Sequence, residues 1–217
     1  MPRPALPPPP PPPGIRAWPD QEALLADRAR AMGELLRLSI GPVRLLLLWL
    51  TAAGFAIGWT IFGAALRMFA EGVDIFSHLF GAIAGAIGLG FMIPTGLVIG
   101  FGIASDAEVR GRLRSWSALT RDPAGDGRYS APGLSLLWFL PSFLLCAYGL
   151  WLSFTVPAGA RPGVDTLTGV ALLMGLGLIL WITGLIGVAK AVSHYRWALR
   201  LVARHPAPAA ERGGAHR

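Results

Sequence analysis

Thr166–Ala189 reads TLTGVALLMGLGLILWITGLIGVA, a stretch of 24 residues without a charged side chain. A bilayer's hydrocarbon core is about 30 Å thick and takes roughly 20 helical residues to cross. Three further charge-free stretches lie upstream, Leu45–Leu66, Phe80–Ser105 and Pro132–Ala160, each at least as long as a crossing requires. Buried soluble helices are usually shorter than this and seldom lack charge over their whole length. None of the four alternates apolar with polar residues, which excludes a transmembrane β-barrel. The expected fold is an all-α integral membrane protein, a bundle of four transmembrane helices with spans near 43–66, 80–104, 134–156 and 167–189.

Composition agrees with that expectation. The 217 residues are 53% hydrophobic and 14% charged, with a mean hydropathy of +0.54, which places the chain in the membrane class. No cleavable signal peptide is read, since the chain opens on a proline tract and its first apolar run starts only at position 45 and is too long for one. Cys146, the single cysteine, falls inside the third span, so neither an intramolecular disulfide nor a cysteine metal cluster is expected. High Ala, Gly, Pro and Arg with a single Lys points to a bacterial source rich in G and C.

The pI of about 10.9 invites a nucleic-acid reading, but the positive charge sits beside spans and forms no basic domain. It orients the chain instead. Seventeen of the 19 Lys and Arg residues fall before the first span, between the second and third, or after the fourth; Arg67 and Arg161 alone lie on the other side. The positive-inside rule then places both termini and the middle loop in the cytoplasm of a multi-pass plasma (inner) membrane protein. The two opposite-side turns, Arg67–Leu79 and Pro157–Asp165, are too short to fold into a ligand-binding domain.

The flanks carry most of the distinctive text. Residues 1–19 read as a proline-rich disordered cytoplasmic tail, in which Pro7–Pro13 forms a polyproline II rod about 22 Å long at about 3.1 Å per residue. The rod reads as a solvated spacer, with a ligand for an aromatic-lined groove as the alternative. Pro19 and Asp20 start a helix and Gly41-Pro42 stops it. Leu24, Leu25, Met32, Leu35, Leu36 and Leu38 recur at helical spacing, so residues 20–41 form an amphipathic cytoplasmic helix for the bilayer surface or a partner helix.

The cytoplasmic loop 105–133 opens on Ser105-Asp106-Ala107-Glu108, a capping-box pattern predicting a separate short helix to about Thr120. Val109, Leu113 and Trp116 share one of its faces; Arg110 and Arg114 share another. Beyond the fourth span, residues 190–217 form a basic cytoplasmic helix and tail with Arg196, Arg200 and Arg204 on one face, beside Tyr195, Leu199 and Val202. Aromatic and basic residues at the end of a span anchor it among headgroups. Arg110, Arg114, Trp116, Arg196, Trp197, Arg200 and Arg204 are therefore the candidate contacts for anionic lipid headgroups or a protein partner.

Within the spans, Gly54 with Gly58, Gly81 with Gly85 and Gly96 with Gly100 are small-xxx-small pairs that allow close helix packing. Pro94 and Pro141 each remove a backbone hydrogen bond and are expected to kink spans two and three. The spans also echo one another. Gly88-Leu89-Gly90 followed by Thr95-Gly96-Leu97 matches Gly175-Leu176-Gly177 followed by Thr183-Gly184-Leu185, and Leu47–Leu50 resembles Leu136–Phe139. The transmembrane hairpins 43–104 and 134–189 are a possible parallel duplication.

Catalytic chemistry is not expected. The spans hold no ionisable residue, the usual mark of ion coupling or intramembrane catalysis. Their Ser and Thr side chains are expected to bond the carbonyls of their own helices, and no zincin, nucleophile-elbow or P-loop motif occurs. Glu71, Asp74 and His78 cluster in one turn, a thin basis for a metal or proton site and more simply an interfacial polar turn. No cofactor or metal is expected, and no nucleic-acid partner. The expected role is a non-enzymatic anchor, scaffold or regulatory subunit acting through its cytoplasmic helices, in contact with a protein partner or a second copy. The alternative is a small oligomeric channel or transporter with a polar cavity lined by Thr95, Ser142 or Thr183.

Overall fold

The computed structural model describes residues 6–12, 17–120, 122, 126, 129 and 132–203. It is all-helical among these, with α1 Gln21–Ile40, α2 Pro42–Glu71, α3 Ile75–Leu119, α4 Pro132–Gly159 and α5 Leu167–Ala203. Four of the helices are long and apolar enough to cross a membrane, and they pack in pairs, α2 on α3 and α4 on α5, with α2 meeting α5 between the pairs. Only 6% of the most apolar window of α3 is buried inside the protein, and 22% of that in α4. Trp151 is 58% exposed and Phe154 68%. Such an apolar exterior far exceeds what a water-soluble monomer carries, and a bilayer covers it. The chain is a multi-pass membrane protein.

Glycine lets the paired helices approach. In the first hairpin, a Cβ on Gly58 would stand 2.8 Å from the Gly88 carbonyl oxygen, and one on Gly88 would stand 2.8 Å from that of Gly58. The second hairpin repeats the device, Gly149 against the Gly177 oxygen at 2.6 Å and Gly177 against the Gly149 oxygen at 2.9 Å. Real Cβ atoms do not approach so closely, so a side chain at any of these would push the helices apart. Gly54 faces Thr95, Gly81 faces Met68 and Phe69, Gly85 faces Ala65, and Gly96 faces the Phe55 ring; a Cβ at Gly100 would meet nothing. Five of the six expected packing glycines thus lie at a helix contact, and Gly100 does not. Between the hairpins, Trp59 fills a notch at Gly175 and its Nε1 donates to the Leu172 carbonyl at 2.9 Å.

The ends of each helix have local causes. Asp20 caps α1 by accepting from the Ala23 amide at 2.7 Å. Gly41 forms the elbow into α2, where any Cβ would collide with the Arg37 carbonyl. Asp74 caps α3, accepting from the Ser77 amide at 3.1 Å and from the Ser77 hydroxyl; these bonds hold its carboxyl below the ordinary value. Both Pro94 and Pro141 lie inside helices that continue through them.

One boundary departs from the sequence reading. Ser105 starts no new helix: α3 runs unbroken for 45 residues through it. Nothing in Gly100-Phe-Gly-Ile-Ala104 stops a helix, so the Ser105 hydroxyl turns back to the Gly102 carbonyl at 2.9 Å, as serine does inside helices. Glu108, cast as the capping partner, pairs with Arg112 at 3.6 Å. At about 1.5 Å per residue, α3 outruns the hydrocarbon core by several turns, and so does α5.

These overhangs, with α1, make a cap at the basic end. Met32 and Leu35 of α1 and Val109, Leu113 and Trp116 of α3 are buried together with Leu201 of α5. The proline tract joins them. Arg112 donates to the Pro7 carbonyl at 2.9 Å, Trp116 Nε1 donates to that of Pro8 at 3.1 Å, and Trp18 meets the Trp116 ring edge-on at 6.5 Å. Leu6, Pro7 and Pro8 therefore lie against the cap, so the start of the tract does not stand away as a solvated spacer. Residues 1–5 and 13–16 of the proline-rich tail and 204–217 of the basic tail lie outside the described residues.

Candidate binding cleft at the basic end

A cleft of about 690 Å³ opens between the overhanging parts of α3 and α5, with Ser39 of α1 at its side. Helical periodicity decides its lining. On α3, Val109 and Trp116 turn toward α1 and Leu113 reaches both the cap core and the cleft, while Arg110 and Arg114 face the cleft. On α5, Arg196 and Arg200 are one turn apart and face the same space. Four guanidinium groups thus border one cleft, and none makes an ion pair with a described residue.

The floor of the cleft is an ion pair. Lys190 Nζ lies 2.7 Å from Asp106 Oδ2, with each side chain 12% exposed. Lys190 also sits over the ring of the fully buried Trp138, 4.9 Å from its centroid. Trp138 Nε1 donates to the Ile40 carbonyl at 2.8 Å, so the α1–α2 elbow, α4 and the floor of the cleft are linked in series. Below the pair lies a much smaller void of about 50 Å³ that reaches Arg44, Thr51 and Trp138. Lys190 and Asp106 border both spaces and separate them.

Two buried polar atoms at this level have no partner among the described residues: Asp106 Oδ1 and His194 Nε2. His194 is held from its other side, Nδ1 lying 2.8 Å from the Ser135 hydroxyl of α4, and its ring lies 5.8 Å from that of Trp197. A buried polar atom left unpaired is costly, and such atoms gather where a ligand or water binds.

The seven flank residues singled out in the sequence divide accordingly. Arg110, Arg114, Arg196, Trp197 and Arg200 come together on the cleft. Trp116 does not: it is 3% exposed, engaged in the cap core and the proline tract, because its face of α3 is the one α1 covers. Arg204 lies outside the described residues. Asp106, Lys190 and His194 escaped the sequence reading, although a signal existed for two of them: Asp106 and Lys190 are the first acid and the first base beyond spans two and four.

On the opposite side, Glu71, Asp74 and His78 do not converge. Asp74 is used as a helix cap, the His78 ring nitrogen lies 2.8 Å from the Asp74 carbonyl oxygen, and Glu71 lies 4.0 Å from Arg67. No group of three or more metal-ligating side chains occurs among the described residues. Thr95 and Thr183 bond their own helix carbonyls, those of Phe91 at 2.6 Å and Ile179 at 2.7 Å. Ser142 is buried against Gly187, and none of these three residues lines either cleft described above.

Compared with protein-family models, curated proteins and solved structures, the chain gave no match.

Proposed function

We propose that this protein is a non-enzymatic membrane anchor or regulatory subunit whose working surface is the cap, held at the cytoplasmic face of the inner membrane. The observation that carries the reading is a division of labour. The spanning segments hold no charged residue and pack through glycine, whereas α1 and the overhangs of α3 and α5 share an apolar core and present ionic chemistry on their surface. The 17 to 2 distribution of Lys and Arg supports a cytoplasmic cap. Anionic headgroups and a protein partner, or a second copy of the chain, are the ligands that a basic, folded surface at this level attracts.

Crosslinking in native membranes, followed by identification of partners, tests the reading. The full chain should capture a stoichiometric protein that a variant lacking residues 2–37 does not, since that deletion removes Met32 and Leu35 from the cap. An identical partner profile for both would overturn it. The channel alternative gains no support from Thr95, Ser142 or Thr183, whose side chains face helix carbonyls or a neighbouring helix.

A further inference from the structure

We propose that the cleft between α3 and α5 is a pocket for the headgroup of an anionic phospholipid whose phosphodiester ends in hydroxyl groups, a glycerol head being the simplest. The inference rests on the cap being at a membrane surface, and deepens that reading by naming a ligand.

Position is the first argument. The charge-free stretches of α3 and α5 end at Ser105 and Ala189, and the cleft begins there, with Ile103 and Ile186 at its inner edge. A lipid lying alongside would bring its acyl chains to those isoleucines and its phosphate to the arginines. Charge is the second. Among the described residues Asp106 is the one acid lining the cleft, and Lys190 already neutralises it. The four arginines are therefore uncompensated and suit an anion, guanidinium groups binding phosphate oxygens through paired N–H donors. A zwitterionic choline or ethanolamine head brings a cation into the same space.

The third argument selects the hydroxyls. Asp106 and His194 are 8% and 7% exposed, and both line the cleft while each keeps one covered polar atom with no partner among the described residues. A phosphomonoester would satisfy the arginines yet set a second negative charge against Asp106 Oδ1. Once the side chains that cover it move aside, that oxygen would accept from a hydroxyl without added charge, and His194 Nε2 would pair with a hydroxyl in either tautomer. An ammonium-bearing serine head would meet Lys190 Nζ, 2.7 Å from the other Asp106 oxygen.

Native mass spectrometry of the full chain in neutral detergent tests the assignment, with phosphatidylglycerol, phosphatidic acid, phosphatidylserine and phosphatidylcholine supplied in equal amounts. The protein should retain phosphatidylglycerol over each of the others by roughly tenfold, equivalent to about 1.4 kcal/mol. Arg110→Gln with Arg196→Gln should lower that retention by at least as much; Arg110 is half-buried and Arg196 exposed, and neither belongs to the cap core. Equal retention of phosphatidic acid would overturn the hydroxyl argument. Undiminished retention by the double variant would place the lipid elsewhere. Soluble glycerophosphate displacing the lipid at equal concentration would show a pocket for a free solute and overturn the lipid assignment. If lipid selectivity fails while deletion of residues 2–37 still removes a protein partner, the pocket falls and the subunit reading stands.

Discussion

The membrane bundle and its cap solve the same packing problem with opposite materials. In the bundle the closest contacts are backbone to backbone: Gly58 against Gly88, Gly149 against Gly177. In the cap they are made by large side chains, Met32, Leu35, Leu113 and Trp116, closing on one another with hardly any exposure. The solvent on each side explains the difference. Lipid tails are as apolar as leucine, so burying a leucine between two spans stabilises little, and close approach must supply dispersion and weak Cα–H contacts instead. Water surrounds the cap, and there each buried apolar side chain contributes about 1.5–3 kcal/mol.

Substitutions that exchange one material for the other test this contrast. The largest effect is expected for Trp116→Ala, which removes a buried ring from the cap core and the donor to the Pro8 carbonyl; large-to-small changes of this kind cost about 3–5 kcal/mol. The loss should be confined to the cap. Hydrogen exchange should show α1 and the end of α3 unprotected while the spans keep their protection, and loss of protection throughout would mean that cap and bundle are one cooperative unit. Gly149→Leu comes next, because its side chain would meet the backbone of α5 at Gly177 and Trp181, which cannot move aside as a flexible side chain does. It should lower the stability of the detergent-solubilised protein by about 3 kcal/mol, read as a fall in unfolding temperature with the cap still folded. Gly100→Leu supplies the smallest effect, within about 0.5 kcal/mol, since a side chain there enters open space. A large loss at Gly100 would show a contact, with a second copy for example, that the single chain does not contain.

What the sequence made legible follows the same line. The spans, their pairing into hairpins and the amphipathic faces of α1 and the α3 overhang were all readable, because hydrophobic length and helical period are local properties. The cleft was half readable: its arginines were visible as basic faces on two separate helices, but their meeting depends on how the fold sets α3 beside α5. Ser105 misled because a capping pattern has meaning only where a helix has stopped, and nothing before it stops one. The proline tract misled for another reason. Its composition predicts a rod, and the Trp116 and Arg112 donors that hold it lie 108 and 105 residues away. Arg28 is similar, buried at 2% exposure against Asp126 at 2.7 Å across 98 residues of sequence.

We propose that the cap, with its cleft, faces the cytoplasm and that, among the described residues, short turns alone face the other way. Single cysteines placed at Ser117 and at Val164, each in a chain carrying Cys146→Ala, test it most directly by labelling with a membrane-impermeant maleimide. Val164→Cys should label in intact cells and Ser117→Cys only after the membrane is permeabilised. Labelling of Ser117→Cys in intact cells with Val164→Cys protected would invert the protein and contradict the account.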